Sequence, residues 1–436
     1  MTPVMIGIIG IIVFSVLLFT GLNVSLCMMI TGTVGCMFLL REPATAVTFL
    51  SDGIISTFMA YMTSVAPMFM LMGDIAAESG LGSDLFDTIS KLSGGRKGVL
   101  ASASQVVCTI FGAICGSGSA TASMMSRVAY PEMKRYGYRD SLSTGAISSG
   151  ASLATLIPPS LPLITYGLIA SQSIGKLFMA GILTGLLLMI LFILTIQIWA
   201  AVDPKAAPPA SKATRREKLQ ALRSGSLIQI LALFAVAMGG LFLGWFTPTE
   251  AGVVGVAGMV VLTIISKRFS FKMLSRAIQN TLVMSVVIYM LLAGSEIFNK
   301  FFTLSRIPIA LGEKVNGLDM PPLLVIFIIT IIYFVLGTAI EVLPIMLLTT
   351  PIFLPIISQL GYDPIWFGVY MVVIMGLGAI SPPVGMSCFV TSVVAKVPIS
   401  VVFKGSMPFM ITFLVCAMLM AVFPDITSYL PNLLLK

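Results

Sequence analysis

The chain contains no histidine, and charged residues fill only 10% of its 436 positions. A soluble domain keeps roughly a quarter of its residues charged, so a chain this poor in charge is solvated by lipid. The missing histidine excludes haem ligation through imidazole, a histidine-based zinc site and a serine–histidine triad. Six cysteines are present (Cys27, Cys36, Cys108, Cys115, Cys388 and Cys416), and no two stand in a CxxC spacing, so they read as small apolar packing residues. Long polar stretches are also missing, apart from one between residues 202 and 226.

Apolar residues are abundant, at 58% of the chain with a mean hydropathy of +1.06. Stretches of about 20 apolar residues recur from end to end, each able to cross a hydrocarbon core ~30 Å thick. The first, Met5 to Thr20, follows no basic region and precedes no small-residue cleavage site, so it reads as a span rather than a signal peptide.

The segment PEMKRYGYRDSLSTGAISSGASLATLIPPS from Pro131 overlays PIISQLGYDPIWFGVYMVVIMGLGAISPPVG from Pro355 at a constant offset of 224. Gly137 and Tyr138 match Gly361 and Tyr362, and Pro158 and Pro159 match Pro382 and Pro383. Upstream, Gly73 pairs with Gly294, Gly95 with Gly317 and Gly21 with Gly244. The chain is a duplication, with repeat 1 over 1–201, a linker over 202–226 and repeat 2 over 227–436.

Each half holds five spans and one broken apolar segment. The spans are 3–23, 26–40, 52–78, 141–171 and 176–201, then 227–245, 248–266, 272–299, 364–396 and 403–423. The broken segments, 98–134 and 321–359, have arms too short for two comfortable crossings and are expected to be re-entrant hairpins. Five is odd, so the second half inserts upside down. The expected fold is an all-α polytopic membrane protein with inverted-topology repeats.

Charge placement tests that topology. With the N-terminus outside, 18 Lys and Arg fall on the cytoplasmic side and six outside (Arg41, Lys176, Lys300, Arg306, Lys314 and Lys436), with Arg127 inside a hairpin. This excess follows the positive-inside rule and accounts for the net charge of +8 without nucleic acid. Both termini are expected outside, and the basic linker reads as a solvated cytoplasmic tether.

Chemistry is expected at four breaks, because an unwound turn exposes carbonyls to a cation while half-helix N-termini offer N–H groups to an anion. The first is CGSGSAT, Cys115 to Thr121, and its counterpart is GTAIE, Gly337 to Glu341. The others are LIPPS, Leu156 to Ser160, and SPPVG, Ser381 to Gly385, where paired prolines remove backbone donors. Candidate substrate-binding residues are Ser117, Gly118, Ser119, Pro158, Pro159, Thr338, Pro382 and Pro383. A carboxylate at Glu341 is costly in the membrane unless it pairs, protonates or meets a cation, which makes it a candidate for ion coupling. Asp74 and Glu296, near the ends of their spans, are expected to face water or other helices. Arg127 lies two turns past the first tip, roughly 12 Å, within reach of the interface by snorkelling.

The run GSGSATASMMSRVAYPEMKRYGYRDSLSTGAISSGASLATLIPPS, the following YGLIASQSIGKLFMAG and the later TTPIFLPIISQLGYDPIWFGVYMVVIMGLGAISPPVG resemble the large membrane subunit of tripartite ATP-independent periplasmic (TRAP) transporters. The resemblance covers nearly the whole chain. It implies a sodium-driven, elevator-type importer in the bacterial inner membrane that carries small organic anions, carboxylates or sulfonates. It implies two partners, a small four-helix membrane subunit and a periplasmic substrate-binding protein. Because the first span starts close to Met1, the small subunit is expected as a separate chain. Two or more sodium ions are implied, with no organic cofactor. The resemblance places one ion at Ala113, Gly116, Ala154, Ile157 and Pro159, and another at Gly337, Ile340, Gly378, Ser381 and Val384. The competing reading is a divalent-anion/sodium symporter that needs no periplasmic partner. A membrane-embedded enzyme is disfavoured by the absence of a catalytic pair.

Overall fold

The computed structural model describes residues 2–210, 214–223, 226–310 and 321–434. Gly317 and the basic residues Lys212, Lys314 and Lys436 lie outside the described residues. Among the described residues every regular element is helical.

Local sequence starts these helices where expected. Thr2 accepts a hydrogen bond from the Met5 N–H ahead of Pro3–Phe19, and Thr247 with Glu250 forms a capping box ahead of Pro248–Ile265. In both, proline occupies the first turn, where its missing N–H costs nothing. Among the described residues five helices are long and apolar enough to span a membrane, or six if the bent pair Pro43–Met59 and Tyr61–Glu78 counts as one, and one of the five, Val342–Gln359, belongs to the second broken segment. The remaining expected crossings are shorter or divided. Pro3–Phe19, Val24–Leu40 and Ser226–Phe242 have 17 residues each. The two spans containing Pro-Pro are split into Asp140–Ala151 with Leu161–Ile169, and Pro364–Ala379 with Met386–Ala395.

The expected hairpins have helical arms Val99–Cys115 with Gly118–Arg135, and Pro322–Ala339 with Val342–Gln359. Side chains tie each one shut. Tyr138, just past the first hairpin, accepts from the Leu100 N–H at its beginning (3.3 Å), so both ends lie together. In the second, the Tyr333 hydroxyl donates to Thr349 Oγ1 on the opposite arm at 2.7 Å.

A central body gathers the hairpins, the split helices and the flanking helices Ile174–Val202 and Ile399–Val422. Gly145 and Gly405 let two backbones meet, and beside them the Ser148 and Ser406 hydroxyls lie 3.0 Å apart, with Cys388 Sγ 3.2 Å from Ser406 Oγ. The Tyr166 hydroxyl of repeat 1 donates to the Pro364 carbonyl of repeat 2 at 2.6 Å. An outer frame holds the other long helices against Phe271–Ser305, with Phe298 packed 5.1 Å from Phe14 and 4.8 Å from Phe302. At one edge of this frame Arg268 pairs with Asp84 at 2.6 Å.

Three features depart from the sequence expectation. The element read as one span over 52–78 begins at Pro43 and bends by 57° at Ala60. An amphipathic helix, Leu81–Ser93, buries Leu81, Leu85, Phe86 and Ile89 on one face. The linker is more than a solvated tether: Ala206 and Ala207 are fully buried, and their carbonyls accept from Arg139 N–H (3.0 Å) and Gly98 N–H (3.2 Å). Arg139 also pairs with Asp203 at 2.7 Å, so the linker's first part is built into the base of the first hairpin.

The glycine contact in the central body yields a stability prediction. A Cβ on Gly405 would collide with the Ser141 carbonyl, backbone that cannot swing aside, whereas one on Gly239 meets nothing within 4 Å. Gly405→Ala is expected to cost about 1–3 kcal/mol through overpacking. Gly239→Ala, within a helix, is expected to be neutral or to stabilise by about 0.5–1 kcal/mol. Thermal melts of the two purified variants in detergent check the contrast.

Candidate functional site between the hairpin tips

Each tip is a two-residue interruption between half-helices. Gly116 ends the first arm in left-handed geometry (φ +62°), and a Cβ there would lie 2.5 Å from the Pro159 carbonyl oxygen. Only glycine combines that φ with that approach. Ser117 caps the next half-helix, its Oγ accepting from Ala120 N–H at 3.4 Å and lying 3.2 Å from Ser119 Oγ. In repeat 2 the same offset of 224 puts Ile340 and Glu341 in these positions. Both are extended, and Glu341 makes no side-chain cap.

The tips of the two repeats meet at one cavity of about 140 Å³. Gly116, Ser117, Gly118 and Ser119 line it from the first hairpin, and Gly337, Ile340 and Glu341 from the second. The N-terminal ends of Gly118–Arg135 and Val342–Gln359 both begin at this cavity, so two positive helix ends converge on it. Among the described residues no Lys or Arg lines it, and Glu341 is the one acidic residue that does.

The two split helices stand behind the tips. Both Pro158–Pro159 and Pro382–Pro383 bonds are cis. A Cβ on Gly112 would fall 2.5 Å from Ala154 Cα, and one on Gly378 would fall 2.5 Å from the Gly337 carbonyl carbon. Arms and split helices are thus in backbone contact in both halves, and Gly385 N–H reaches the Thr338 carbonyl at 3.4 Å.

The structure does not bring all the sequence candidates to the cavity. Pro158, Pro159, Pro382, Pro383 and Thr338 do not line it, and the Thr338 hydroxyl donates to the Val335 carbonyl of its own helix at 2.8 Å. Ala113 and Pro159 instead border a small apolar space under Ser226–Phe242. Ala154 and Ile157 are buried behind the first tip, and Ser381 is buried with its hydroxyl on the Leu377 carbonyl, whereas Val384 is 41% exposed. Arg127 is exposed and off the cavity, while Asp74 accepts from the Thr281 hydroxyl at 2.6 Å.

Several lining residues escaped the sequence reading. Ser152 and Thr155 fall a turn or two before the first Pro-Pro, and Ser387 follows the second, so proximity to the breaks could have flagged them. Met284 and Ile288 sit in an uninterrupted apolar span and carried no signal.

A chain whose described elements are all helical, with two re-entrant hairpins meeting tip to tip, is a polytopic membrane protein of the transporter type. The solved YdaH transporter of Alcanivorax borkumensis shares this fold, with a TM-score of 0.63 and 16% identity over 88% of this chain and 89% of that one. The family model for the tripartite ATP-independent periplasmic transporter DctM component matches residues 11–426, and the chain belongs to that family. It is 30% identical to the C4-dicarboxylate TRAP transporter large permease protein DctM of Pseudomonas aeruginosa, over 92% of this chain and 93% of that protein. It is 31% identical to the ectoine TRAP transporter large permease protein TeaC of Halomonas elongata, over 84% and 85%. The chain is a TRAP large permease subunit, and the reading as a stand-alone divalent-anion symporter is not favoured.

The tip geometry predicts the outcome of one substitution. Gly116→Leu forces a side chain at positive φ against the Pro159 carbonyl and Leu161, both in the Pro-Pro segment behind the tip. Uptake in proteoliposomes is expected to vanish while expression and size-exclusion behaviour stay near wild type. Uptake at the wild-type rate would remove the tip from the site.

Proposed function

We propose that this chain is the transport subunit of a sodium-coupled, binding-protein-dependent importer of a small organic anion. The observation that carries the reading is the single cavity shared by both hairpin tips, at which two half-helix N-termini converge. Helix N-termini favour a carboxylate or sulfonate. Ser117 and Ser119 add hydroxyls, and the relatives, named for a C4-dicarboxylate and for ectoine, support a small organic acid as cargo.

Sodium supplies the positive charge that the cavity wall lacks. Among the described residues no three His, Cys, Asp or Glu side chains gather, so a cation here rests on backbone and hydroxyl oxygens. The Pro159 carbonyl beside Gly116 and the apposed backbones of Gly337 and Gly378 suit that donor set. In repeat 1 the ion would be held around Ala113, Gly116, Ala154, Ile157 and Pro159. In repeat 2 it would be held around Gly337, Ile340, Gly378 and Ser381; Val384, being exposed, fits this group least. Glu341 would strengthen cation binding at the second tip. The partners are a small four-helix membrane subunit and a periplasmic binding protein, in a bacterial inner membrane with both termini outside.

An asymmetry between the repeats supports movement of the central body against the frame. Gly73 packs on Cys115 of the first tip, while its counterpart Gly294 packs on Ser25 and Met28. Ser226–Phe242 covers the Pro159 region, while Pro382 and Pro383 are exposed. In the opposite state the repeats exchange these contacts, bringing Gly294 to the second tip.

Two experiments test the proposal. Uptake in proteoliposomes with the binding protein present is expected to require a sodium gradient; equal uptake with potassium replacing sodium on both sides refutes the coupling. A Gly294→Cys/Ile340→Cys pair is expected to cross-link only when the transporter is driven to its opposite state. Cross-linking independent of the gradient argues against the exchange.

A further inference from the structure

The bend at Ala60 borders a second cavity, of about 270 Å³, separate from the tip cavity and walled on its apolar side by Leu168, Ile169 and Leu292. The helix Pro43–Met59 stops there because Ala60 leaves helical geometry (φ −69°, ψ 121°). Its terminal carbonyls lose their intrahelical partners, and the next helix begins at the same residue, so the negative end of one helix and the positive end of the next meet beside this space and the side chains set its net character.

Six polar side chains line the cavity: Ser56, Thr57, Thr63, Ser295, Glu296 and Asn299. Ser56 and Thr57 donate to the Gly53 carbonyl at 3.2 and 2.7 Å, and Ser295 donates to the Leu292 carbonyl at 2.7 Å. A hydroxyl has one proton, so these three present only lone pairs to the cavity. Asn299 Oδ1 is buried with no hydrogen-bond partner. Glu296 adds a carboxylate that forms no ion pair among the described residues. Among the described residues no Lys or Arg lines the space, and Lys300, one turn past Glu296, holds its Nζ 4.8 Å from the centre of the Phe49 ring instead.

A lining rich in acceptors and bearing one negative charge suits a cation. The geometry points to a cation site at the Ala60 break, distinct from the hairpin tips, that takes a partly hydrated monovalent ion. A single carboxylate is too little charge for a dehydrated divalent ion, and the volume leaves room for several waters. Met284, Ile288, Leu292, Ser295 and Asn299 recur every three or four residues along Phe271–Ser305, so one helix face joins this site to the tip cavity. The site therefore holds a cation on the approach to the tips.

Thallium(I), an anomalous scatterer that replaces sodium or potassium, tests the assignment in crystals of the complete transporter. The expected result is a peak between Glu296 and the Thr57–Thr63 bend in the wild type that is lost in Glu296→Gln, while peaks at the hairpin tips keep their height. In solution, binding of radioactive sodium to one class of site is expected to weaken at least about tenfold in Glu296→Gln, as loss of a nearby unit charge implies. Thr57→Val, which removes one acceptor without a change of charge, is expected to weaken the same class. Absence of the wild-type peak, or a peak and an affinity unchanged in both variants, overturns the site.

Discussion

A peptide group in hydrocarbon must find its partner inside the protein, and every functional feature of this chain follows from how its interrupted helices meet that demand. At the hairpin tips and the Pro-Pro segments the interruptions come together. The Gly116 turn lies on the Pro159 carbonyl, the Gly337 arm lies on Gly378, and Gly385 N–H reaches the Thr338 carbonyl. Ser160 folds its hydroxyl back onto the Thr155 carbonyl at the first Pro-Pro break. Breaks packed against breaks leave a few oriented carbonyls and N–H groups for a solute and concentrate them at the middle of the molecule.

The duplication is expressed unevenly. Within the central body the two halves make similar contacts, since Ala154 and its counterpart Gly378 each meet the backbone of the neighbouring hairpin arm, at Gly112 and, one residue out of register, at Gly337. Toward the frame they do not, since Gly73 touches a tip and Gly294 does not. The tips themselves have diverged in chemistry. Position 117 is a serine that caps its half-helix, and the equivalent position 341 is a glutamate left free to face the cavity.

Much of the helical architecture was legible in the sequence because hydrophobic length and the positions of its Gly and Pro breaks are properties of composition and order alone. The hairpin arms end within a residue or two of their expected limits, at 99–135 and 322–359. What was not legible depends on packing. Nothing in Met59-Ala60-Tyr61-Met62 forbids helix, yet the chain turns there. The two proline pairs drew attention as binding residues; they sit at the helix breaks behind the tips, and the cavity is lined by their neighbours Ser152, Thr155 and Ser387. The buried alanines of the linker looked like part of a polar tether because their partners, Gly98 and Arg139, are distant in sequence.

The bend at Ala60 has a mechanical side. Phe271–Ser305 is unbroken for 35 residues, a rod about 52 Å long at 1.5 Å per residue. That exceeds a ~30 Å hydrocarbon core, so the rod must lie obliquely or project beyond the bilayer. Its counterpart in repeat 1 is jointed, with two shorter segments meeting at 57°. The frame therefore pairs a stiff strut with an elbow. Changes in bilayer thickness tilt the strut as one piece, while the elbow can open or close by changing the backbone angles of a few residues around Ala60.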